Sequence, residues 1–285
     1  MGWYKFAIMA LFFMGTQRFL YKVSAERKCD TAWTTLAFMA TVAVLSSILF
    51  LVLKEPVLNV TLILLIALIN SGTFLVGTIT HIEALKQMPA AAVYPIIRLN
   101  VVIVVIFSVM YFKDRFTLYQ GIGILCAVAV IIILTRQADN GRAYYGKLNR
   151  GFVLVVVSLL SGSVASISSK FAAMYVNKIG FMALSYIMAC GYALGLRKKL
   201  KSAESNPDHK EALIIGIAMG LINFAGYFSF LKALSMGPLS LIVSITGMHF
   251  AIAIILATII YKEKMTRLRI GGILLTMTSI ILLRL

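Results

Sequence analysis

One stretch of the chain occurs twice, and this repeat constrains the fold more than any other feature. Residues 84–136, shifted by 149 positions, lie without a gap on residues 233–285. Pro89 then meets Pro238, and Gly123 meets Gly272. Each copy reads as small residues with a proline, an apolar run, a short charged turn, and a second apolar run that starts with glycine. A repeat in an apolar chain, with its halves joined by a polar link, is a signature of transporters.

The composition places the chain in a bilayer. Hydrophobic residues make up 61% and charged residues 13% of the sequence, whereas soluble domains are about 45–50% apolar and about 25% charged. Ten apolar runs have lengths near the roughly 20 residues that a bilayer core requires. They cover 6–23, 31–53, 58–80, 89–112, 118–135, 151–172, 179–196, 211–232, 237–260 and 268–284. Runs this long and uniformly apolar span as helices, so the sequence predicts an all-α integral membrane protein with ten transmembrane helices.

The repeat divides these ten spans into five and five. The predicted units are a first repeat over 1–136, a polar linker over 137–149 and a second repeat over 150–285. Because each unit has an odd number of spans, two tandem copies enter the membrane from opposite sides. The sequence therefore predicts inverted repeats related by an axis in the membrane plane, as alternating access requires.

The charged and sulfur-containing residues narrow the expected partners. The net charge is +17, but the basic residues lie mostly at the ends of apolar runs, where lipid headgroups explain them better than nucleic acid does. Cys29, Cys126 and Cys190 form no CxxC pair, so we expect no metal and no cofactor. We expect a small-molecule substrate and the lipid bilayer as partners, no nucleic acid, and a monomer or homodimer.

The sequence lacks the patterns of an enzyme or a pump. Its three histidines are spread over three regions, and it contains neither a P-loop nor a paired-carboxylate or catalytic-triad pattern. We therefore expect a protein that is not an enzyme and that moves its substrate along a substrate or ion gradient.

Two glycine pairs predict close helix contacts. Gly191 and Gly195 are four residues apart, as are Gly216 and Gly220. Small residues at this spacing let two helix backbones approach each other in lipid.

Several motifs together resemble one family. Each half carries Ala-Leu, small residues and a proline, followed by a helix that ends in Lys113-Asp114-Arg115 or Lys262-Glu263-Lys264. With ten spans in two halves, the chain resembles the drug/metabolite transporter superfamily of the EamA type. Pro95 is similar to a proline that this family places early in its fourth helix, although its counterpart Ser244 departs from the pattern. The resemblance implies a central cavity built mainly by the first, third, fourth, sixth, eighth and ninth helices.

Ionisable and polar side chains inside the spans are candidates for the site, because a charge in hydrocarbon costs a few kcal/mol. Arg98 lies well inside the fourth span and Arg18 inside the first. Residues three or four apart share a helix face, which pairs Tyr94 with Arg98 and Thr246 with His249. The predicted substrate-binding residues are Arg98, Tyr94, His249, Thr246, Asn223, Tyr227, Arg18 and Asn100.

Each candidate also has a structural interpretation. Arg18, Lys22 and Lys170 are close enough to span ends to extend to the headgroups. Asn223 and Asn70 could form hydrogen bonds between helices, and His249 could be a core histidine with satisfied nitrogens.

The sign of the buried charge indicates the substrate. Arginines lie inside the spans, whereas Glu55, Glu83, Asp114 and Glu263 lie near span ends. Arginine binds carboxylate and phosphate groups. The sequence therefore predicts a carrier for a small anionic or zwitterionic metabolite, such as an amino acid, an organic acid or a sugar phosphate. A lipid carrier or flippase on the same scaffold is the alternative.

The remaining questions are whether transport is coupled to protons and how the chain is oriented in the membrane. His249 is the one central group that could relay a proton, so we expect facilitated diffusion or exchange more than proton coupling. The resemblance implies that both termini are cytoplasmic, in a multi-pass protein of the cell membrane. The Lys and Arg count favours the opposite orientation, because the basic clusters at 136–150 and 197–201 would then lie inside. We follow the resemblance.

Overall fold

The computed structural model describes residues 2–54, 56, 59–88, 93, 96–97, 99–138, 148–200, 209–261 and 267–283. Its regular elements are all helical. In chain order they are α1 (Gly2–Glu26), α2 (Thr31–Leu53), α3 (Val60–Gln87), α4 (Asn100–Phe107), α5 (Leu118–Ala138), α6 (Leu148–Tyr175), α7 (Lys178–Leu200), α8 (His209–Met236), α9 (Leu239–Gly247), α10 (His249–Tyr261) and α11 (Arg267–Leu282). A π-helical segment, Ser108–Phe112, continues α4. The prediction of an all-helical protein is therefore confirmed for the described residues.

Within the described residues, the predicted apolar runs coincide with helices, and the ninth run contains both α9 and α10. Residues 89–92, 94–95 and 98 of the fourth run lie outside the described residues. Within the described part of the chain, five helical stretches are long and apolar enough to cross a bilayer by length and composition. They are Thr31–Leu53, Val60–Gln87, Arg150–Tyr175, Lys178–Gly195 and His209–Met236. The number of ten membrane-spanning helices stays a prediction.

Polar residues between the apolar runs determine where several helices begin. The Asp30 carboxylate accepts from the amides of the second and third residues after it, at 2.8 and 3.3 Å, and so caps α2. The Asn59 side chain accepts from Leu62 N at 3.0 Å and caps α3. Asn177 caps α7, accepting from Gly180 N at 2.8 Å. These first amides of a helix have no partner within the helix itself.

The main contacts in the described chain join the two halves. The most extensive pair α3 with α6, α1 with α8, and α2 with α7. If the two repeats are exchanged, the α1–α8 contact becomes the α6–α3 contact, and the α2–α7 contact maps onto itself. The described helices are thus arranged with two-fold pseudosymmetry between the halves.

One of the two glycine pairs makes the contact that its spacing predicts. A Cβ added at Gly216 would lie 2.5 Å from the Thr34 carbonyl oxygen, and one at Gly220 would lie 2.5 Å from Thr41 Cβ. The backbone of α8 therefore lies directly against α2. Gly191 and Gly195 have no atom of the described chain within 4 Å of such a Cβ, so their predicted contact is absent within the described residues.

The fourth and ninth runs are interrupted at the same point of the repeat. The Leu99 amide donates to the carbonyl three residues before it at 3.1 Å, and its carbonyl accepts from the amide three residues after it at 3.0 Å. Met248, which is 149 positions later, makes the same two hydrogen bonds at 3.1 and 3.0 Å. Such tight turns inside a helix often mark hinges. Asn100 and His249 follow these turns directly.

Candidate functional site

A cavity of about 90 Å³ lies where the two halves meet. Its described lining residues come from α1, α3, the start of α4, α6, α8 and the α9–α10 junction. These are the same six runs that the family resemblance implies. The polar lining side chains are Arg18, Thr73, Thr78, His81, Asn100, Ser158, Ser166, Ser169, Tyr227, Thr246 and His249. Among the described lining residues there is no carboxylate.

The cavity is lined by pairs of residues related by the repeat. A shift of 149 positions takes Thr78 to Tyr227, and both line the cavity. The same shift relates Asn100 to His249, which also both line it. The pseudosymmetry between the halves therefore extends into the cavity wall.

A first hydrogen-bond network connects α3, α6 and α8 beside the cavity. The Asn70 amide nitrogen donates to Ala165 O at 2.9 Å, Ser168 Oγ at 2.8 Å and Ser169 Oγ at 3.1 Å. The Tyr227 hydroxyl donates to Asn70 Oδ1 at 3.3 Å and lies 2.8 Å from Ser169 Oγ. Asn70 thus has the structural role that the sequence left open, and Tyr227 is held by its hydroxyl with its ring in the wall.

A second network connects α7, α8 and α1. The Tyr186 hydroxyl donates to Asn223 Oδ1 at 2.5 Å, and the Asn223 amide nitrogen donates to Gln17 Oε1 at 3.1 Å. Gln17 in turn donates to the Tyr21 hydroxyl at 3.2 Å. Asn223 is 1% exposed and belongs to this network behind the wall, not to the cavity lining.

Arg18 belongs to a stack on the α1 side of the cavity. Its guanidinium carbon lies 4.6 Å from the centre of the Tyr21 ring, a cation–π distance. The Tyr21 ring meets the His81 ring edge to face, with centres 5.2 Å apart. Because Gln17 and Thr78 also contact the Tyr21 hydroxyl, the network behind the wall sets the position of the arginine.

Thr246 and His249 line the cavity from the junction of α9 and α10, which packs against α1. The Thr246 hydroxyl donates to Ile242 O at 2.8 Å, and His249 Nδ1 is in hydrogen-bond contact with Thr246 O. Because a carbonyl oxygen only accepts, Nδ1 carries the proton in the neutral ring. His249 is 4% exposed and follows the turn at Met248.

Of the remaining predicted site residues, one lines the cavity and two lie outside the described part of the chain. Asn100 lines the cavity and is 6% exposed. Arg98 and Tyr94 lie outside the described residues, as does Pro95. The binding roles of all eight residues remain predictions.

Sequence reasoning missed two faces of the cavity. On α3, Thr73, Gly77, Thr78 and His81 line it, and on α6 it is lined by Ser158, Gly162, Ala165, Ser166 and Ser169. Both sets follow the three- and four-residue spacing of a single helix face. A search for polar or small residues at that spacing would have found them.

A second polar cluster joins helix ends of both halves. One Asp114 carboxylate oxygen accepts from Ser108 Oγ at 2.5 Å, Ser240 N at 3.0 Å and Ser240 Oγ at 2.9 Å. Asp114 belongs to the charged turn of the first repeat, and Ser240 lies in the first turn of α9 in the second. The carboxylate therefore caps a helix of the other half.

Lys170 continues this cluster. Its ammonium donates to the carbonyls of Leu234 and Gly237, each at 2.8 Å, and the residue is 8% exposed. It thereby caps the end of α8, where carbonyls lack partners within the helix. The side chain is directed into the protein and not along the surface.

The apolar helices of the described chain and the comparisons with known proteins together indicate a multi-pass membrane protein. The EamA-like transporter family model matches residues 1–136 and 149–285. The chain belongs to this family, whose members are transporters and which is part of the drug/metabolite transporter superfamily.

Two further proteins are similar to the chain. An uncharacterized protein of Methanocaldococcus jannaschii is 26% identical over 128 residues, which is 45% of this chain and 92% of that protein. That relative is therefore about as long as one repeat. The crystal structure of another protein has a TM-score of 0.73 at 15% identity, and the match covers 97% of this chain and 98% of that one. This similarity concerns the fold.

Proposed function

We propose that the protein is a secondary transporter that moves a small anionic or zwitterionic metabolite by alternating access through the central cavity. The observation that carries the proposal is the composition of the wall. The cavity takes its lining from both halves and contains Arg18, two histidines and several hydroxyls, without a carboxylate among its described lining residues. Such a wall favours a carboxylate or phosphate group, which arginine binds through paired hydrogen bonds.

The size of the cavity favours a small metabolite over a lipid. A bound water molecule needs roughly 10–15 Å³ of such a volume. A cavity of about 90 Å³ therefore has space for on the order of six to nine waters, which suits an amino acid or a short organic acid. No described feature favours the lipid carrier.

The repeat supports the transport mechanism. Ten spans in two inverted five-helix units place equivalent helices on opposite sides of the cavity, and the paired turns at Leu99 and Met248 supply equivalent bends beside it. Arg98, predicted from its depth in the fourth span, would add a second arginine to the anion site.

Binding to purified protein tests the proposal. Thermal-shift measurements against amino acids, organic acids and sugar phosphates identify ligands, and uptake of the labelled ligand into proteoliposomes measures transport. Arg18→Ala should weaken binding about 10- to 100-fold, because a hydrogen bond to a charged group contributes roughly 1.5–3 kcal/mol. Arg18→Lys should recover part of the loss.

Arg150→Ala is the matched control, because Arg150 is exposed at the start of α6. It should bind and transport as the wild type does. Normal transport by Arg18→Ala and by Arg98→Ala would contradict an anion site at this cavity. Movement of labelled phospholipid without uptake of any small acid would favour the lipid carrier instead.

A further inference from the structure

One buried amide beside the cavity differs from the others. Asn70, Asn223 and Gln17 each donate and accept hydrogen bonds within the described helices. Asn100 Oδ1 is buried and has no hydrogen-bond partner among the described residues. Leaving such an acceptor unpaired is costly, and native proteins do so rarely. Of these four side chains, Asn100 is also the one that lines the cavity.

The surroundings of Asn100 keep space for its amide. Asn100 begins α4 directly after the turn at Leu99, and its side chain faces Gly162 of α6. A Cβ added at Gly162 would lie 3.3 Å from Asn100 Nδ2, closer than most such contacts. Glycine at 162 therefore leaves the amide unobstructed at the cavity wall, where Gly162 also lies.

We propose that Asn100 recognises a hydrogen-bond donor on the substrate. Its amide oxygen accepts a hydrogen bond from an ammonium or hydroxyl group of the molecule whose anionic group binds at Arg18. The terminal torsion of asparagine is soft, so a rotation of the amide turns Oδ1 towards the donor while α4 stays in place. This inference rests on the proposed transport function and makes its substrate class narrower.

The chemistry of the amide defines that class. A carbonyl oxygen accepts hydrogen bonds and does not donate them, so the substrate is a small acid that also carries an N–H or O–H group. A site built for such a donor discriminates strongly against analogues that lack it, because the buried acceptor is then left unpaired. Simple alkyl acids should therefore be poor ligands.

Matched ligands test the inference on the purified full-length chain. Alanine and lactate are compared with propionate, and glycerol 3-phosphate is compared with propyl phosphate, by calorimetry or thermal shift. In the better-binding series, the wild type should bind the donor-bearing compounds roughly tenfold or more tightly than the compound without a donor. In Asn100→Leu this ratio should fall to about one, while the affinity for the donor-free compound stays within about threefold of wild type.

The ligand-free stability separates recognition from a structural role. Asn100→Leu removes a buried amide oxygen that has no partner among the described residues, so its unfolding temperature without ligand should equal or exceed that of wild type. A clear decrease would indicate that the amide has a structural partner, and would count against the proposal.

A second pair of variants tests the space around the amide. Gly162→Ala places a methyl group against Asn100 Nδ2 and should lower the ratio between the matched ligands. Gly72→Ala is the control, since a Cβ there meets nothing within 4 Å, and it should leave the ratio unchanged.

The possible results distinguish this inference from the function on which it rests. Equal affinity of the wild type for both members of each pair, or an unchanged ratio in Asn100→Leu, overturns the role of Asn100 and leaves the transporter intact. If no acid of either series binds the wild type, the proposed function and this inference both fail.

Discussion

Replacing Asp114 with asparagine should shift the balance between the two conformations that alternating access requires. In the structure, its carboxylate joins the start of the π-helical segment to the start of α9 through Ser108 and Ser240. In the proposed mechanism, the helix ends of the two halves separate at this end of the bundle when the cavity opens there. Asp114→Asn keeps the size and one acceptor but removes the charge.

The magnitude follows from those three hydrogen bonds. Hydrogen bonds to a charged group contribute roughly 1.5–3 kcal/mol and neutral ones about 0.5–1.5 kcal/mol, and a negative charge at a helix N-terminus adds about 0.3–1 kcal/mol. Because Asp114 is only half-buried, solvent screening reduces these values. A net loss of about 1–2 kcal/mol corresponds to a roughly 5- to 30-fold shift towards the conformation open at this end.

Cysteine accessibility measures this shift. A cysteine at Ser166, in the cavity wall, is placed in a chain whose native cysteines are replaced by alanine. It is then labelled with an impermeant maleimide from each side of sealed vesicles. Asp114→Asn should raise the labelling rate about 5- to 30-fold from the side of the Asp114 cluster, and Ser240→Ala, which removes one donor, should have a smaller effect in the same direction.

Glu26→Gln is the control for the loss of a charge, because Glu26 is exposed at the end of α1. Its labelling rates should match those of the parent chain. Unchanged rates from both sides in Asp114→Asn would refute the reasoning that this carboxylate holds the helix ends together.

Four further predictions concern packing, reactivity, orientation and coupling. Gly216→Ala should destabilise the protein by about 1–3 kcal/mol through overpacking, which would lower its unfolding temperature in detergent. Gly191→Ala should not lower it, because a Cβ at Gly191 meets nothing within 4 Å. Equal effects of the two substitutions would contradict the close contact at Gly216. Burial raises the pKa of the Cys29 thiol, so less thiolate is present at pH 7 than for a free cysteine. The rate of its reaction with a disulfide reagent should therefore be low, and it should rise with pH at higher pH values than the rate of a free cysteine. A cysteine in the linker 137–149 should be labelled from outside the cell, and labelling from the cytoplasm alone would reverse the predicted orientation. Uptake into proteoliposomes should persist with a protonophore present, and its collapse would identify proton coupling, with loss of that effect in His249→Ala assigning the relay.

The helices could be predicted because membrane insertion is determined by composition and length, whereas the runs that build the cavity were implied by the family resemblance. The apolar runs coincide with the helices, and the 149-residue repeat brings Asn100 and His249 to equivalent places in the wall. The close contact at Gly216 was predicted from residue size and spacing, but the same spacing at Gly191 and Gly195 gives no contact within the described residues. Each of these features depends on residues of one chain segment or on the repeat itself.

The α3 and α6 faces were not predicted because their hydroxyl groups give an ambiguous signal. Thr73 Oγ1 donates to Ile69 O at 2.8 Å, and Ser166 Oγ donates to Gly162 O at 2.9 Å. A serine or threonine can satisfy itself on its own helix in this way, so its presence in an apolar run indicates neither a cavity nor a lipid-facing position. Asn223 was predicted as a binding residue for a different reason. Its partner Tyr186 lies on another helix, and the sequence does not show that the two helices are neighbours.

The two halves share a backbone arrangement but not a surface chemistry, and this difference bears on how a substrate is held. Thr78 and His81 of the first half correspond to Tyr227 and Phe230 of the second, and all four line the cavity. The first half thus presents a small hydroxyl and an imidazole, beside Arg18, where the second presents aromatic rings. An anionic group is favoured on the first half and an apolar group against the rings of the second. Under the proposed function, we therefore expect a substrate to bind in one orientation, although the helices around the cavity are related by two-fold pseudosymmetry.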